Sequence, residues 1–71
     1  MNFGEALEQV KKGKGMRLPY WKEGVVVRVQ YPKEFSKMTA PYLYISIGLF
    51  DKYPWQADVI ELFSEDWEVV E

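Results

Sequence analysis

Neither a cysteine nor a histidine occurs among these 71 residues. Disulfides are therefore excluded, and a structural zinc site lacks its usual thiolate and imidazole ligands. A chain of this length makes one domain, 1–71, and such a domain buries roughly 60% of the surface its unfolded chain exposes. With no staple, the routes to a stable fold are dense aromatic packing and self-association. An aromatic content of 17% supplies the first and points to the second.

The same composition limits the chemistry. Without histidine or cysteine, the usual general base and thiol nucleophile are missing, leaving only carboxylates to act as a pair or hold a metal. Asp58, Glu61, Glu65 and Asp66 cluster in sequence, but a short helix's solvated face and a turn account for them. No enzyme activity, catalytic residue, metal or cofactor is expected. The absence of cysteine fits a cytosolic protein, and no apolar run approaches the roughly 18 residues of a membrane span. Met1-Asn2-Phe3-Gly4-Glu5 lacks the basic-then-apolar order of a signal peptide. The expectation is a soluble, internal protein with no membrane partner.

The spacing predicts an α+β fold, a small antiparallel sheet with an N-terminal helix and a short second helix. Asn2 as N-cap, Glu5 three residues on and Gly13 at the far end bracket a helix from Phe3 to about Lys12. Phe3, Ala6, Leu7 and Val10 form its apolar face. Gly13-Lys14-Gly15 lacks P-loop spacing and reads as a turn into a strand over Met16 to Leu18, which Pro19 halts. Lys22-Glu23-Gly24 reads as a turn. Val25 to Tyr31 is a β-branched strand with Val25, Val27, Val29 and Tyr31 toward the core. Pro32 to Pro41 is a polar loop carrying Phe35 and Met38, either a lid, a subunit contact or an ordinary connection.

Tyr42 to Ile47 alternates tyrosines and serine against Leu43, Ile45 and Ile47, which should face the core. Gly48 to Lys52 is turn-like. Ala57 to Phe63 is a short helix with Val59, Ile60 and Phe63 expected inward, and Trp67 to Val70 closes as a strand burying Trp67 and Val69. Tyr42 and Tyr44 on one strand face, with Trp21 and Trp55 elsewhere, exceed what a small monomer readily solvates. A homo-oligomer would resolve that excess.

The net charge of −2 argues against a DNA or RNA polymer as partner, since phosphate contacts normally come with a strongly basic domain. The distribution is uneven. Lys11, Lys12, Lys14, Arg17, Lys22, Arg28, Lys33 and Lys37 precede position 38 beside four acids, whereas Lys52 follows it beside seven. Such asymmetry steers a small anion to one face or pairs opposite halves of two subunits, or it is simply two solvated faces.

Arg17-Leu18-Pro19-Tyr20-Trp21-Lys22 sets two cations around two adjacent aromatics and reads as a candidate nucleotide-holding wall. A base stacked on an aromatic gains about 1–3 kcal/mol, and arginine adds charge-assisted phosphate contacts. Trp21, Tyr20, Arg17, Lys22 and Gln56 supply those residue types, and Phe3 at the exposed end of its helix could line a pocket. Equally, Trp21 and Tyr20 could be ordinary core or interface aromatics with Arg17 and Lys22 as surface charges.

The ordered set Asn2-Phe3-Gly4-Glu5-Ala6-Leu7, a lysine-and-glycine turn, Arg17 four residues before Trp21-Lys22, Pro41-Tyr42-Leu43-Tyr44-Ile45, Pro54-Trp55-Gln56-Ala57-Asp58 and Asp66-Trp67-Glu68-Val69-Val70 resembles the second Thoeris anti-defence family of small phage proteins. The resemblance implies a cyclic-nucleotide sponge, acting in the cytoplasm of the infected bacterium as a homotetramer with pockets between subunits. The signal bound would be a cyclic ADP-ribose isomer or a related cyclic oligonucleotide, sequestered without cleavage. By position, Trp21 matches the family tryptophan that follows the first strand and is the best candidate to stack on a base, Arg17 matches the basic residue ahead of it, and Trp55, Gln56 and Asp58 match a segment near the pocket or its supporting shell. The chain departs from the family's Asn-Gly-Lys-type turn at Lys22-Glu23-Gly24, lacks a proline and serine between Trp55 and Gln56, and has a shorter centre. The competing expectation is a protein-binding module that blocks a nuclease or defence effector through the same aromatics.

Overall fold

A computed structural model describes residues 1–32, 40–49 and 51–71. The order of elements is α1 (Phe3–Lys11), β1 (Gly15–Arg17), β2 (Val25–Gln30), β3 (Tyr42–Ile47), β4 (Asp51–Pro54), α2 (Val59–Phe63) and β5 (Glu68–Val70). The strands form one antiparallel sheet in the order β4-β3-β2-β1-β5. The α+β expectation holds. Phe35 and Met38, and with them most of the expected loop, lie outside the described residues.

The helix α1 forms for the reasons its sequence gives. Asn2 Oδ1 accepts from Glu5 N–H at 2.8 Å while Glu5 Oε1 accepts from Asn2 N–H at 2.9 Å, a complete capping box. Gly13 takes φ +103° just beyond the C-terminal end, a conformation that a Cβ would strain. Gly15 answers to a different constraint. A Cβ there would collide with Val26 Cγ1 and stand 3.0 Å from Val70 Cγ2, so this position is small because β2 and β5 close over it.

Directly paired residues share a face of an antiparallel sheet. Val69, Met16, Val27, Ile45 and Tyr53 make one row across it. Ala6 and Val10 of α1 pack onto this face with Met16, Leu18, Val27 and Trp67 as the fully buried core, flanked by Phe3, Leu7, Val29, Leu43 and Val69. Trp67 is buried as its sequence context predicts. The opposite face carries Val26, Arg28, Gln30, Tyr42, Tyr44, Ser46 and Lys52, where the Lys52 ammonium lies 5.3 Å from the centre of the Tyr44 ring, within cation–π range.

Four expectations are corrected. Val59, Ile60 and Phe63 point outward, and α2 buries none of its residues. With only five residues, α2 makes little more than one turn, so the i, i+1, i+4 spacing fixes a face but not its direction. The inward side is set instead by Trp67 Nε1, which donates to the Glu61 carbonyl at 2.9 Å. Tyr31 follows β2 and is exposed, its hydroxyl donating to the Lys11 carbonyl at 2.7 Å. That bond takes the ring along the end of α1 rather than under it. Ile47 ends β3 beyond the reach of α1 and is exposed. Finally, Asp51 and Lys52, expected to end the Gly48–Lys52 turn, instead begin an edge strand over Asp51–Pro54; a proline at its end is tolerated because an edge has an unpaired side.

The chain's two ends meet. Trp67 N–H donates to the Met1 carbonyl at 3.0 Å, and the Met1 ammonium donates to the Trp67 and Glu65 carbonyls, each at 3.1 Å. No helix among the described residues is long and apolar enough to cross a membrane.

Candidate functional site

Two successive turns carry the Arg17–Lys22 stretch from β1 to β2. Trp21 N–H donates to the Leu18 carbonyl at 3.1 Å and Val25 N–H to the Lys22 carbonyl at 3.2 Å. Pro19 suits the second position of the first turn, and Gly24, at φ +88°, supplies the positive φ the second requires. Arg17 does not project as a free cation. Its Nη2 donates to the Trp21 carbonyl at 2.6 Å, partly buried, so the guanidinium holds the turn that presents the indole.

Trp21 and Trp55 then line one groove of about 460 Å3, with Lys22, Val25, Ile45, Ile47 and Glu61. Its floor is the β2–β3 end of the core face of the sheet, and α2 contributes Glu61. The two indoles meet edge to face, centroids 6.2 Å apart at 72°. Both rest on the buried Trp67, Trp21 at 5.5 Å and 88°, Trp55 at 6.2 Å and 81°. Phe3 backs the cluster, stacked on Trp55 at 6.4 Å and 27° and edge-on to Trp67 at 5.5 Å and 72°. Such pairs each add about 0.5–1.5 kcal/mol beyond area burial, which makes a stiff aromatic wall.

The groove thus brings together three sequence-predicted residues, Trp21, Lys22 and Trp55. Phe3 and Arg17 stand behind them as packing and turn support. Asp58 is the N-cap of α2: its Oδ1 accepts from Glu61 N–H at 2.8 Å while Glu61 Oε1 accepts from Asp58 N–H at 2.9 Å. Asp58 therefore positions Glu61, which reaches the groove. Gln56 is exposed between β4 and α2 and does not line the groove. Tyr20 lines a separate concavity with Val59, Ile60, Phe63, Ser64 and Asp66, so Tyr20 and Trp21, adjacent in sequence, serve different surfaces.

Val25, Ile45, Ile47 and Glu61 are groove residues that sequence reasoning did not single out. The three aliphatics gave a strand signal only. Glu61 had one clue, its place as the third residue after Asp58 in a second capping box.

Among the described residues, the groove offers two half-buried indole surfaces, an aliphatic floor, one ammonium and one carboxylate. That suits a flat, partly polar molecule, and its volume falls in the range of small-molecule sites. No curated protein matches the chain. A family model described as the Thoeris anti-defense 2-like domain matches residues 1–70. With nearly the whole chain covered, this protein belongs to the Thoeris anti-defense 2-like family, and its general role is to counter Thoeris defence.

Proposed function

We propose that this protein binds and sequesters a cyclic nucleotide immune signal, a cyclic ADP-ribose isomer or a related cyclic oligonucleotide, without cleaving it. It does so as a homo-oligomer, a tetramer by family resemblance, in the cytoplasm of the infected bacterium. The observation that carries the reading is the pair of half-buried indoles, Trp21 and Trp55, set on Trp67 around one groove beside Lys22. Trp21 stacks on a base, Lys22 meets a phosphate, and Trp55 and the aliphatic floor exclude water from the ligand's other face. Arg17 acts on the site through the Trp21 carbonyl, and Asp58 through Glu61. Gln56 and Tyr20 reach a ligand only where a second subunit brings it to them. Sequestration fits the residue chemistry, which offers neither a histidine nor a cysteine for bond cleavage.

The test is calorimetry of the native protein and Trp21→Ala against a panel of cyclic nucleotides, followed by heat release and chromatography of the ligand. Tight binding, an intact released ligand and a loss of about 5- to 150-fold in affinity on Trp21→Ala are expected; one lost base stack of about 1–3 kcal/mol corresponds to that range. A linearised product, or a panel that never binds, overturns the proposal. The outward apolar side chains of α2 favour a second reading, a module that blocks a nuclease or defence effector by surface contact, and an unresponsive panel would leave that reading in place.

A further inference from the structure

The helix α2 is held by polar bonds, not by its own side chains. Its capping box and the Trp67 indole bond to the Glu61 carbonyl fix it in place, while Val59 is 67% exposed, Ile60 77% and Phe63 82%. A helix this short has no stability of its own in water. These three apolar residues therefore contribute little to folding one subunit, and polar residues at the same positions would serve a lone monomer better. Tyr20, 70% exposed, stands beside them across a shallow concavity bordered by Ser64 and Asp66.

With the flanking Leu62, the patch presents on the order of 500 Å2 of apolar surface, near the upper end of what monomers tolerate. Doubled across a twofold axis it reaches about 1,000 Å2, the lower bound for a specific interface between proteins. A self-complementary apolar patch is what an isologous pair requires. Two of the nearby carboxylates, Asp58 and Glu61, already accept backbone N–H bonds at the start of the helix, so the pairing does not have to satisfy them anew. Glu65 and Asp66 stay at the rim.

We infer that a second copy of the chain docks here, α2 against α2 about a twofold axis, with Tyr20 carried into the joint. The inference rests on the homo-oligomeric reading above and assigns one of its faces. It also gives Tyr20 a role apart from ligand stacking. Docking on Tyr20 fixes the Leu18–Trp21 turn from outside, and the same turn presents Trp21 to the groove. The binding wall is thereby steadied by the partner.

The experiment is native mass measurement and sedimentation of the full chain, with Phe63→Glu and Phe63→Leu as variants and circular dichroism to verify the fold. Because Phe63 is exposed, both variants should fold. Phe63→Glu should yield a smaller species, with a dissociation midpoint raised at least tenfold, and Phe63→Leu should assemble as the native chain does. Raising salt should tighten the pair, since Glu65 and Asp66 face their own copies and screening relieves that repulsion. A native chain that is monomeric at all concentrations, an unchanged assembly in Phe63→Glu, or an association weakened by salt overturns the inference. Nucleotide calorimetry separates it from the functional reading. A native protein that assembles through α2 and binds no cyclic nucleotide sinks the function alone, whereas a nucleotide-binding protein whose Phe63→Glu variant assembles normally sinks the interface alone.

Discussion

Replacing Trp67 by phenylalanine should show how much of the groove hangs on one buried ring. Trp67 is 2% exposed and touches Phe3, Trp21 and Trp55 edge-on. Phenylalanine keeps an aromatic ring at the same place but removes about three buried heavy atoms and the N–H that reaches the Glu61 carbonyl at 2.9 Å. At roughly 0.8 kcal/mol per buried carbon and about 1 kcal/mol for the hydrogen bond, the loss comes to about 3 kcal/mol. A 71-residue domain has on the order of 4–10 kcal/mol in total, so the variant should fold but melt about 10–25 °C lower. Urea unfolding at fixed protein concentration, followed by circular dichroism, measures this. Glu8→Gln is the control, since it removes only the exposed 3.0 Å pair with Lys11 and should cost at most about 0.5 kcal/mol. If Trp67→Phe loses no more than Glu8→Gln, the aromatic cluster is not what holds the groove, and the account of Trp21 and Trp55 as a rigid wall falls.

Gly15→Ala should destabilise by about 1–3 kcal/mol in the same assay, because the added methyl meets Val26 and Val70 between β2 and β5; an unchanged midpoint would mean that the sheet yields freely there. Asp58→Ala should cost about 1 kcal/mol through loss of the cap on α2, while Asp58→Asn should cost little, as asparagine caps equally well. Nucleotide affinity that falls in Asp58→Asn at unchanged stability would instead make Asp58 a direct ligand contact. Arg17→Lys should keep the charge but lose the geometry of the bond to the Trp21 carbonyl. Calorimetry should then show weaker nucleotide binding, and native affinity in that variant would deny Arg17 its positioning role.

Much of the fold was legible because several signals agreed along the chain. Asn2 with Glu5, the β-branched run from Val25, and the alternation from Tyr42 to Ile47 each combine a propensity with a pattern, and each forms the expected element. Where only one signal was present, the reading failed. The residues of α2 had spacing without a direction, and a hydrogen bond from Trp67, distant from any pattern in α2, turned Val59, Ile60 and Phe63 out. Asp51 and Lys52 looked like the end of a turn because the strand identity of Asp51–Pro54 comes from pairing with β3, Ile45 opposite Tyr53, which no local composition announces. The site divides in the same way. Trp21 was legible as an aromatic beside cations, yet its partner surface, Ile45 and Ile47 on β3, is assembled by tertiary structure.

The charge within the groove bears on how many subunits a ligand needs. Among the described residues, Lys22 is the lysine lining it and Glu61 the carboxylate, so their formal charges cancel in front of a molecule carrying two phosphates. Arg17 spends at least one of its five donors on the Trp21 carbonyl, and Lys14 and Arg28 are engaged at the far end of the sheet, with the Glu71 carboxylate and carbonyl respectively. If the ligand is a doubly charged cyclic nucleotide, the proposed oligomer would bring further cations from another copy. Affinity should then fall with dilution of the protein, because ligand and assembly are linked. Titrations at two protein concentrations, one above and one below the dissociation midpoint, decide the matter. Equal affinity at both would show that one groove, with Lys22 alone, suffices, and the shared-site reading would fail.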